Sequence, residues 1–401
     1  MHTKIPAKHF EEIMSPPIVG IVRLADKMER KGRTVIRSTG QGVPFLDPPA
    51  YALKEISEEI KKSNSIHAYS PDPGLPEVRE AVCNYLQKVF SLVIEPENLL
   101  LTAGSNMGFF MLVNAIIEPG RGDEVLFSVP YYFNHVMAVQ MAGGQPVFAR
   151  PEFGLGLDPK SLKSVASKNT RAIVTVSPNN PSGAVFSKAS FEGLSEIFKE
   201  QEHIILISDE VYSTHIFGKN QHCSPGSLSS LRNFTCTLGS CSKSFGLAGW
   251  RLGWLGIPTG LESLFETVLK IQDTTNIAAP TISQSLLLAI LQGPYETYIK
   301  QSTQLLETNW RFVTDWIKSA SEDLPVDFPQ APEGAFYLFP QFKGYQDSRT
   351  LAMDLLKEKG VVTIPGIAFG EESHLRISYG GRLREVENAF DRIDAFLKEQ
   401  V

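Results

Sequence analysis

Short apolar segments alternate with amphipathic helical patterns through the middle of this 401-residue chain, and this alternation restricts the fold more than any other feature. Seven of the apolar segments have the length of strands: Leu99–Thr102, Glu124–Ser128, Gln145–Ala149, Arg171–Ser177, Ile204–Asp209, Phe234–Leu238 and Arg251–Gly256. Helical patterns lie between them, at Asn106–Ile117, Asn134–Met141, Asp158–Val165 and Lys188–Gln201. The sequence therefore predicts an α/β fold in which a mostly parallel seven-stranded sheet lies between helices. Ligands of such sheets bind at the carboxyl ends of the strands.

The last third of the chain has a different pattern, with a long helix over 294–321, two short strands and two further helices. The strands are predicted at Phe336–Pro340 and Leu375–Ser378, and the helices at Asp347–Lys359 and Arg382–Gln400. The closing helix carries apolar residues on one face. A separate helical segment, Ile13–Gly32, precedes a turn-rich stretch. We expect a large ligand-binding domain of residues 45–293 and a smaller α+β domain formed by residues 1–44 and 294–401.

Composition excludes several classes of protein. Apolar residues make up 42% of the chain and charged residues 20%, which is enough for a packed core. The net charge of −6 argues against nucleic acid or an anionic membrane as the main partner. The four cysteines form no CxxC pair and no zinc-type cluster, so we expect reduced thiols, no metal and a cytoplasmic protein. Neither a secretory signal nor an apolar run of transmembrane length is evident.

Chemistry is most strongly indicated by the segment from Thr237 to Arg251, in which Lys243 lies among serines and glycines after an apolar strand. A lysine that attacks a carbonyl needs a lowered pKa, which a nearby cation or desolvation provides. Small residues allow close approach of the backbone to an anion, and hydroxyls with Arg251 suit a phosphate. A ligand with both a carbonyl and a phosphate indicates pyridoxal phosphate.

Three other motifs follow predicted strands, and each has a structural alternative. Asn180 lies in a turn of the sequence Ser-Pro-Asn-Asn-Pro-Ser-Gly, where it is either a plain turn residue or an amide that points into a cleft. Asp209 ends a buried strand three residues before Tyr212. It is a helix cap, a nucleotide-hydrolase acid or a partner of a cationic ring nitrogen, and the second option lacks a GxxxxGK[ST] loop. The Gly104-Ser-Asn106 turn is an ordinary βα turn or an anion site at a helix N-terminus.

Two motifs remain. Ser240-Cys-Ser-Lys243 also matches the SxxK element of serine acyl-transfer enzymes, but the SDN and KTG elements of that class are absent. Arg376 lies inside an apolar strand, where an unpaired charge is costly. It is either a structural ion-pair partner or a clamp for a substrate carboxylate.

Taken in order, these motifs resemble those of the fold-type I, class I/II pyridoxal-phosphate aminotransferases, and the resemblance covers nearly the whole chain. It implies that Lys243 forms an aldimine with pyridoxal phosphate. It further implies catalytic roles for Lys243, Asp209 and Tyr212, and no metal. The cofactor-binding residues it implies are Gly104, Ser105, Asn106, Tyr132, Asn180, Asp209, Tyr212, Ser240, Ser242, Lys243, Arg251 and, from a neighbouring subunit, Tyr69. The substrate-binding residues it implies are Gly42, Asn180 and Arg376.

Within this resemblance each position has a role. Asp209 pairs with the pyridinium nitrogen, Tyr212 and Asn180 bind the phenolic oxygen, and Tyr132 stacks on the ring. The turn at Gly104, the two serines and Arg251 bind the phosphate. Arg376, with the backbone near Gly42, holds the α-carboxylate of the substrate. Because the Tyr69 position contacts the phosphate of the neighbouring subunit in this family, we expect a homodimer with shared active sites.

The expected activity is transfer of an amino group from an L-amino acid to a 2-oxo acid by a ping-pong mechanism. Some relatives that prefer acidic substrates carry a lysine at the position of Asn106, and residues 272–276 contain no arginine. We therefore expect neutral or aromatic donors to be favoured over dicarboxylic ones. A C–S β-lyase on the same fold is the alternative enzyme. A regulatory binding module is a further alternative, although such proteins carry an additional DNA-binding domain.

Overall fold

The computed structural model describes residues 9–399. Its helices are α1 (His9–Glu12), α2 (Val19–Arg30), α3 (Ala50–Lys62), α4 (Pro76–Phe90), α5 (Ser105–Ile116), α6 (Phe133–Met141), α7 (Pro159–Val165), α8 (Lys188–Gly193), α9 (Ser195–Glu200), α10 (Cys241–Ser244), α11 (Glu262–Asn276), α12 (Thr281–Gln292), α13 (Tyr295–Asp323), α14 (Ser348–Lys359) and α15 (Leu383–Lys398). Its strands are β1 (Leu99–Thr102), β2 (Glu124–Ser128), β3 (Gln145–Ala149), β4 (Thr170–Val176), β5 (Ile205–Asp209), β6 (Thr235–Ser240), β7 (Gly253–Gly256), β8 (Val326–Asp327), β9 (Tyr337–Leu338), β10 (Gln341–Phe342), β11 (Ile364–Pro365) and β12 (Leu375–Ser378).

The predicted seven-stranded sheet is confirmed. Its strand order is β1-β7-β6-β5-β4-β2-β3. The neighbours β3, β2, β4, β5 and β6 pair in parallel, whereas β7 runs antiparallel to both β6 and β1. Strands β4, β5 and β6 are buried over almost their whole length, because helices cover both faces of the sheet. This double burial is what produced the continuous apolar runs in the sequence.

The antiparallel direction of β7 brings Arg251 to the ligand-binding edge of the sheet. The strands β1, β2, β4, β5 and β6 all end at one edge of the sheet, so the residues that follow them meet there. Because β7 runs the opposite way, it begins at that same edge, and Arg251 lies two residues before its first residue. Arg251 has a left-handed backbone (φ 53°) that turns the chain into β7. The predicted strand therefore begins two residues too early.

Two helical predictions differ from the structure in extent. The predicted helix Lys188–Gln201 is two short helices, α8 and α9, which meet at Leu194. Gly193 has low helix propensity, and the apolar periodicity alone did not register this interruption. The predicted segment Ile13–Gly32 becomes helical only at Val19, because Pro16 and Pro17 disfavour a helix through the residues before them.

Four further helices lie in the part of the chain that contains the seven-stranded sheet. Helices α3, α4, α11 and α12 were not among the predicted elements, and α3, α4 and α12 lie side by side over one face. Buried residues of α4 and α12, such as Val82 and Leu287, form one apolar cluster with Leu101 and Trp254 of the sheet.

The C-terminal third contains a three-stranded antiparallel sheet in the order β11-β12-β9, covered by α13, α14 and α15. On α15 the predicted apolar face is buried, with Val386, Phe390 and Ile393 fully inside. Residues Ile21 and Ala25 of α2 pack into the same cluster. Over residues 9–399, no helix is long and apolar enough to cross a membrane.

Candidate active site

A cavity of about 510 Å³ lies at the carboxyl edge of the seven-stranded sheet. Most of the residues predicted from the sequence line it: Gly42, Ser105, Asn106, Tyr132, Asn180, Asp209, Tyr212, Ser240, Ser242, Lys243, Arg251 and Arg376. The last of these belongs to β12 in the C-terminal sheet, whereas the others lie at or near the ends of strands of the large sheet or in the N-terminal segment. The fold thus collects residues that are far apart in the sequence into one site.

One end of the cavity is built to bind an anion. Helix α5 begins at Ser105, and its first backbone N–H groups have no partner within the helix. Gly104 precedes it with φ 86°, and a side chain at this position would overlap the guanidinium of Arg251. Ser240 accepts a hydrogen bond from the Ser242 N–H (3.1 Å) and donates one to its hydroxyl (2.9 Å). Hydroxyls, amides and a guanidinium together suit a phosphate.

A buried carboxylate lies at the floor of the cavity. Asp209 ends β5 and is 3% exposed, and its Oδ2 is 3.2 Å from Nε2 of His135 on α6. Its Oδ1 accepts the Val211 N–H at 3.2 Å. The imidazole stacks on Phe109 with ring centroids 4.0 Å apart, which fixes its orientation. A buried, oriented carboxylate of this kind is suited to hold a protonated ring nitrogen.

Lys243 has the electrostatic environment of a reactive amine. Burial and the nearby cations of Arg376 and Arg251 together lower its pKa to about 8, against the opposing effect of Asp209. The backbone carbonyl of Lys243 lies 3.1 Å from Nε2 of His215, a fully buried histidine. Burial also lowers the pKa of His215, to about 4, so this imidazole is neutral near pH 7 and adds no charge beside the lysine.

A network of four side chains closes the other side of the cavity. The Tyr212 hydroxyl lies 2.9 Å from the Tyr337 hydroxyl and accepts a hydrogen bond from Asn180 Nδ2 at 3.4 Å. Asn180 Oδ1 accepts a hydrogen bond from Arg376 at 3.1 Å. The guanidinium of Arg376 also donates to the Gly40 carbonyl (3.0 Å) and lies 4.7 Å from the centroid of the Tyr337 ring.

Two predicted residues lie away from the cavity lining. Tyr69 is 80% exposed and does not line the cavity of its own chain. Gly104 lies behind Ser105 and Arg251 and acts on the site only through its backbone.

The sequence did not reveal three residues of the site. His135 and Tyr337 were not singled out, because an isolated histidine in a helix and a tyrosine in an apolar strand are both ordinary core residues. His135 lies three residues after Tyr132, a spacing that places both on one side of α6, and this was the available signal. Asn134 was also missed, although its amide donates to the Tyr132 hydroxyl at 2.7 Å.

The groups in the cavity fit pyridoxal phosphate. They comprise an amine with a lowered pKa for the carbonyl, an anion-binding helix terminus with hydroxyls for the phosphate, and a buried carboxylate for the ring nitrogen. Tyr132 supplies an aromatic face, and Tyr212 with Asn180 supplies donors for a ring oxygen. Among residues 9–399, no group of three or more histidine, cysteine or acidic side chains is arranged to hold a metal ion.

The fold and the site define a pyridoxal-phosphate-dependent enzyme of the transaminase type. A family model described as "Aminotransferase class I and II" matches residues 40–393, so the chain belongs to that family, whose members depend on pyridoxal phosphate.

Relatives and solved structures agree with this assignment. An aspartate aminotransferase of Pyrococcus abyssi is 32% identical and covers 92% of this chain and 93% of its own. Aromatic-amino-acid aminotransferase 2 of Thermococcus litoralis is 31% identical and covers 91% of this chain and 92% of its own. The crystal structure of the Rhizobium meliloti aspartate aminotransferase superposes with a TM-score of 0.91 at 27% identity and covers 99% of both chains.

Proposed function

We propose that this aminotransferase takes the amino group of L-amino acids with neutral or aromatic side chains in preference to dicarboxylic ones. A 2-oxo acid accepts the amino group in a second half-reaction, so the kinetics are ping-pong. The proposal is supported by the charges and contacts of the cavity lining.

Arg376 supports an amino acid as the substrate. Its side chain is 3% exposed, yet its hydrogen bonds run to an amide oxygen and a backbone carbonyl, and within residues 9–399 it has no ion-pair partner. Its Nε is buried without a partner. A buried cation is costly unless an anion neutralises it, and a carboxylate binds a guanidinium with two parallel hydrogen bonds. We therefore assign Arg376, beside the backbone of Gly42, to the substrate α-carboxylate.

The proposed preference for neutral or aromatic donors rests on one observation, the number of cationic side chains in the cavity lining. Of the described residues around the cavity, the cationic ones are Lys243, Arg251 and Arg376. In the proposed arrangement these serve the cofactor carbonyl, the phosphate and the α-carboxylate, so none remains for a second carboxylate.

The side-chain end of the cavity matches this preference. It is bordered by the apolar residues Ile18, Val43 and Phe133 and by the amides of Gln41 and Asn134. Apolar surface of this kind favours apolar or aromatic side chains. The relatives include one named for aspartate and one named for aromatic amino acids, so family membership does not decide between the two donor classes.

The placement of the other lining residues supports the remaining proposed roles. When bound, pyridoxal phosphate accepts the electron pair left at Cα after deprotonation. Lys243 is the base that removes and returns this proton, Asp209 keeps the ring nitrogen protonated, and Tyr212 with Asn180 donates to the ring oxygen. Ser105, Asn106, Ser240, Ser242 and Arg251 bind the phosphate, and Tyr132 stacks on the ring.

Ranking amino donors tests this proposal. We expect kcat/KM with 2-oxoglutarate as acceptor to be at least about tenfold higher for phenylalanine or methionine than for aspartate. Without acceptor, each subunit should release a single equivalent of 2-oxo acid, as a ping-pong transaminase requires. Comparable values for aspartate and phenylalanine would contradict the donor preference. Continuous release of pyruvate and ammonia from cystathionine would instead indicate the C–S lyase, which the relatives do not favour.

We also propose a homodimer with shared active sites, located in the cytoplasm. The exposed Tyr69 supports the dimer, because it lies outside the cavity of its own chain and is free to contact another. For the domains we propose the division into 45–293 and into 1–44 with 294–401. The packing of α2 against α14 and against the core shared with α15 supports this division.

A further inference from the structure

We infer that Tyr337 is a positioning residue that donates a hydrogen bond to Tyr212 and thereby lowers the proton affinity of the cofactor bound beside it. This inference rests on the pyridoxal-phosphate site described above and extends it to a residue outside the motifs. Tyr337 belongs to β9 in the C-terminal sheet, and β9 pairs with β12, which carries Arg376.

The two phenols form a buried pair. Their hydroxyl oxygens lie 2.9 Å apart, and their rings are nearly perpendicular (84°) with centroids 5.5 Å apart. Tyr212 is 4% exposed and Tyr337 is fully buried, although both residues line the cavity. Space around Tyr337 is tight, because a methyl group added at Gly42 would lie 3.1 Å from its hydroxyl. The pair therefore has little freedom to exchange its contacts for water.

The number of available protons determines the direction of the hydrogen bond between Tyr337 and Tyr212. Each phenol has one proton, and without a cofactor either hydroxyl can donate to the other. Asn180 already donates its amide to the Tyr212 oxygen. When the Tyr212 proton is directed to the ring oxygen of the cofactor, Tyr337 must be the donor within the pair. Hydrogen bonds in such a chain strengthen one another, so donation by Tyr337 makes Tyr212 the better donor.

Arg376 favours this direction. Burial raises the pKa of Tyr337 to about 12, and the guanidinium over its ring opposes that rise. At Tyr212, burial raises the pKa well above the usual 10, and Arg376 is only a minor opposing influence. The cation thus acts mainly on Tyr337, the phenol whose ring it contacts, and improves it as a donor.

The test is a spectrophotometric pH titration of the bound chromophore in the holoenzyme without any amino acid. Replacement of Tyr337 with phenylalanine (Y337F) removes one donor, so the ring oxyanion is less stabilised and the chromophore pKa should rise by about half a unit to one unit. Tyr379→Phe is the matched control. Tyr379 is fully buried in the same apolar cluster, and its hydroxyl has no hydrogen-bond partner among the described residues, so its removal should leave the titration unchanged.

A double-mutant cycle separates donation from packing. If Tyr337 acts through Tyr212, Y337F should shift the chromophore pKa in the wild-type background but not in a Tyr212→Phe background. No shift in Y337F, an equal shift in both backgrounds, or an equal shift in the Tyr379 control would each overturn the inference. The titration uses no donor, so a preference for aspartate would refute the proposed donor class and leave this result unaffected.

Discussion

Among single residues, Lys243 has the property that is simplest to test by pH. Its pKa is lowered to about 8, so the amine is protonated and unreactive below this value and neutral above it. In the cofactor-free protein, the rate of covalent attachment of pyridoxal phosphate should therefore rise with pH, reach half its maximum near pH 8 and level off above. Absorbance measured after rapid mixing follows this rate.

The same experiment tests the cause of the shift. Arg376 is the strongest charged contributor to the lowered pKa of Lys243, so Arg376→Gln should move the midpoint to higher pH. The control is Arg382→Gln, which removes an arginine that lies over the Phe45 ring and outside the cavity lining. An equal movement in both variants would show that the loss of any nearby cation, and not the contact of Arg376 with the site, sets the midpoint.

Asn106 offers a test of donor choice at the scale of one side chain. It lines the cavity at the first turn of α5. Asn106→Lys should raise the ratio of kcat/KM for aspartate over phenylalanine about tenfold, because a charged hydrogen bond to the second carboxylate is gained.

Asn106→Leu is the comparison that removes the amide without adding charge. It should not raise the aspartate ratio. A similar gain in both variants would mean that loss of the amide, and not addition of a cation, changes the specificity.

Residues with distinctive chemistry were predictable from the sequence, and residues that act through geometry were not. Lys243, Asp209 and Arg376 stood out because a lysine among small polar residues and charges within apolar strands are unusual. Tyr337 and His135 are chemically ordinary at the level of sequence. They join the site because β9 pairs with β12 and because α6 turns its inner face to Asp209. Pairing of this kind is set by long-range contacts that one-dimensional patterns do not contain.

At the scale of elements, Asp123 connects the start of β2 to β4. Its buried carboxylate accepts the Glu118 N–H (2.9 Å) and the Arg171 guanidinium (2.8 Å). Burial alone would raise the pKa of Asp123, but these two hydrogen bonds and the cations of Arg171 and Arg121 outweigh it and lower the pKa. The ionised form is thus favoured by folding, and its contribution is present above the ordinary carboxyl pKa and is lost as the pH falls through the lower folded value.

Asp123→Asn should therefore lower the free energy of unfolding at pH 7 by about 2 kcal/mol, because Arg171 loses its charged partner. Urea unfolding measures this difference, which should shrink on acidification below about pH 4. Glu118→Gln in the same loop is the control, since its side chain forms only an exposed pair with Arg121 and should change stability by less than about 0.5 kcal/mol. A cost for Glu118→Gln equal to that for Asp123→Asn would contradict the argument.

The elements themselves show where periodicity is sufficient and where it is not. The strands of the large sheet were predicted because burial on both faces leaves continuous apolar runs. The antiparallel direction of β7 was not predictable, since an apolar run has no direction. The division between α8 and α9 was missed for a related reason. The apolar spacing continues across Leu194, but the helix is interrupted there.

At the scale of the whole molecule, the site depends on both ends of the chain. Arg376 comes from the C-terminal sheet, whereas Gly40 and Gly42 come from the N-terminal segment, and the carbonyl of Gly40 accepts a hydrogen bond from Arg376. A cavity assembled from such distant segments is complete only when the seven-stranded sheet and the C-terminal sheet are both folded and in contact. In the proposed homodimer, Tyr69 would extend this dependence to a second copy of the chain, since it lies outside the cavity that contains its own Lys243.

Hybrid dimers test the proposed sharing of active sites. A Lys243→Ala subunit lacks the reactive amine, and a dimer of two Tyr69→Ala subunits should bind the cofactor more weakly because the phosphate in each site loses the hydrogen bond from the other chain. When the two variants are unfolded, mixed equally and refolded, roughly half of the dimers should be hybrids. In each hybrid, the site containing Lys243 receives Tyr69 from the other chain and should regain wild-type cofactor affinity, which titration of the chromophore measures. Tyr69→Ala refolded alone is the control. If mixing restores no high-affinity sites, Tyr69 serves its own subunit or none, and the shared-site dimer is refuted.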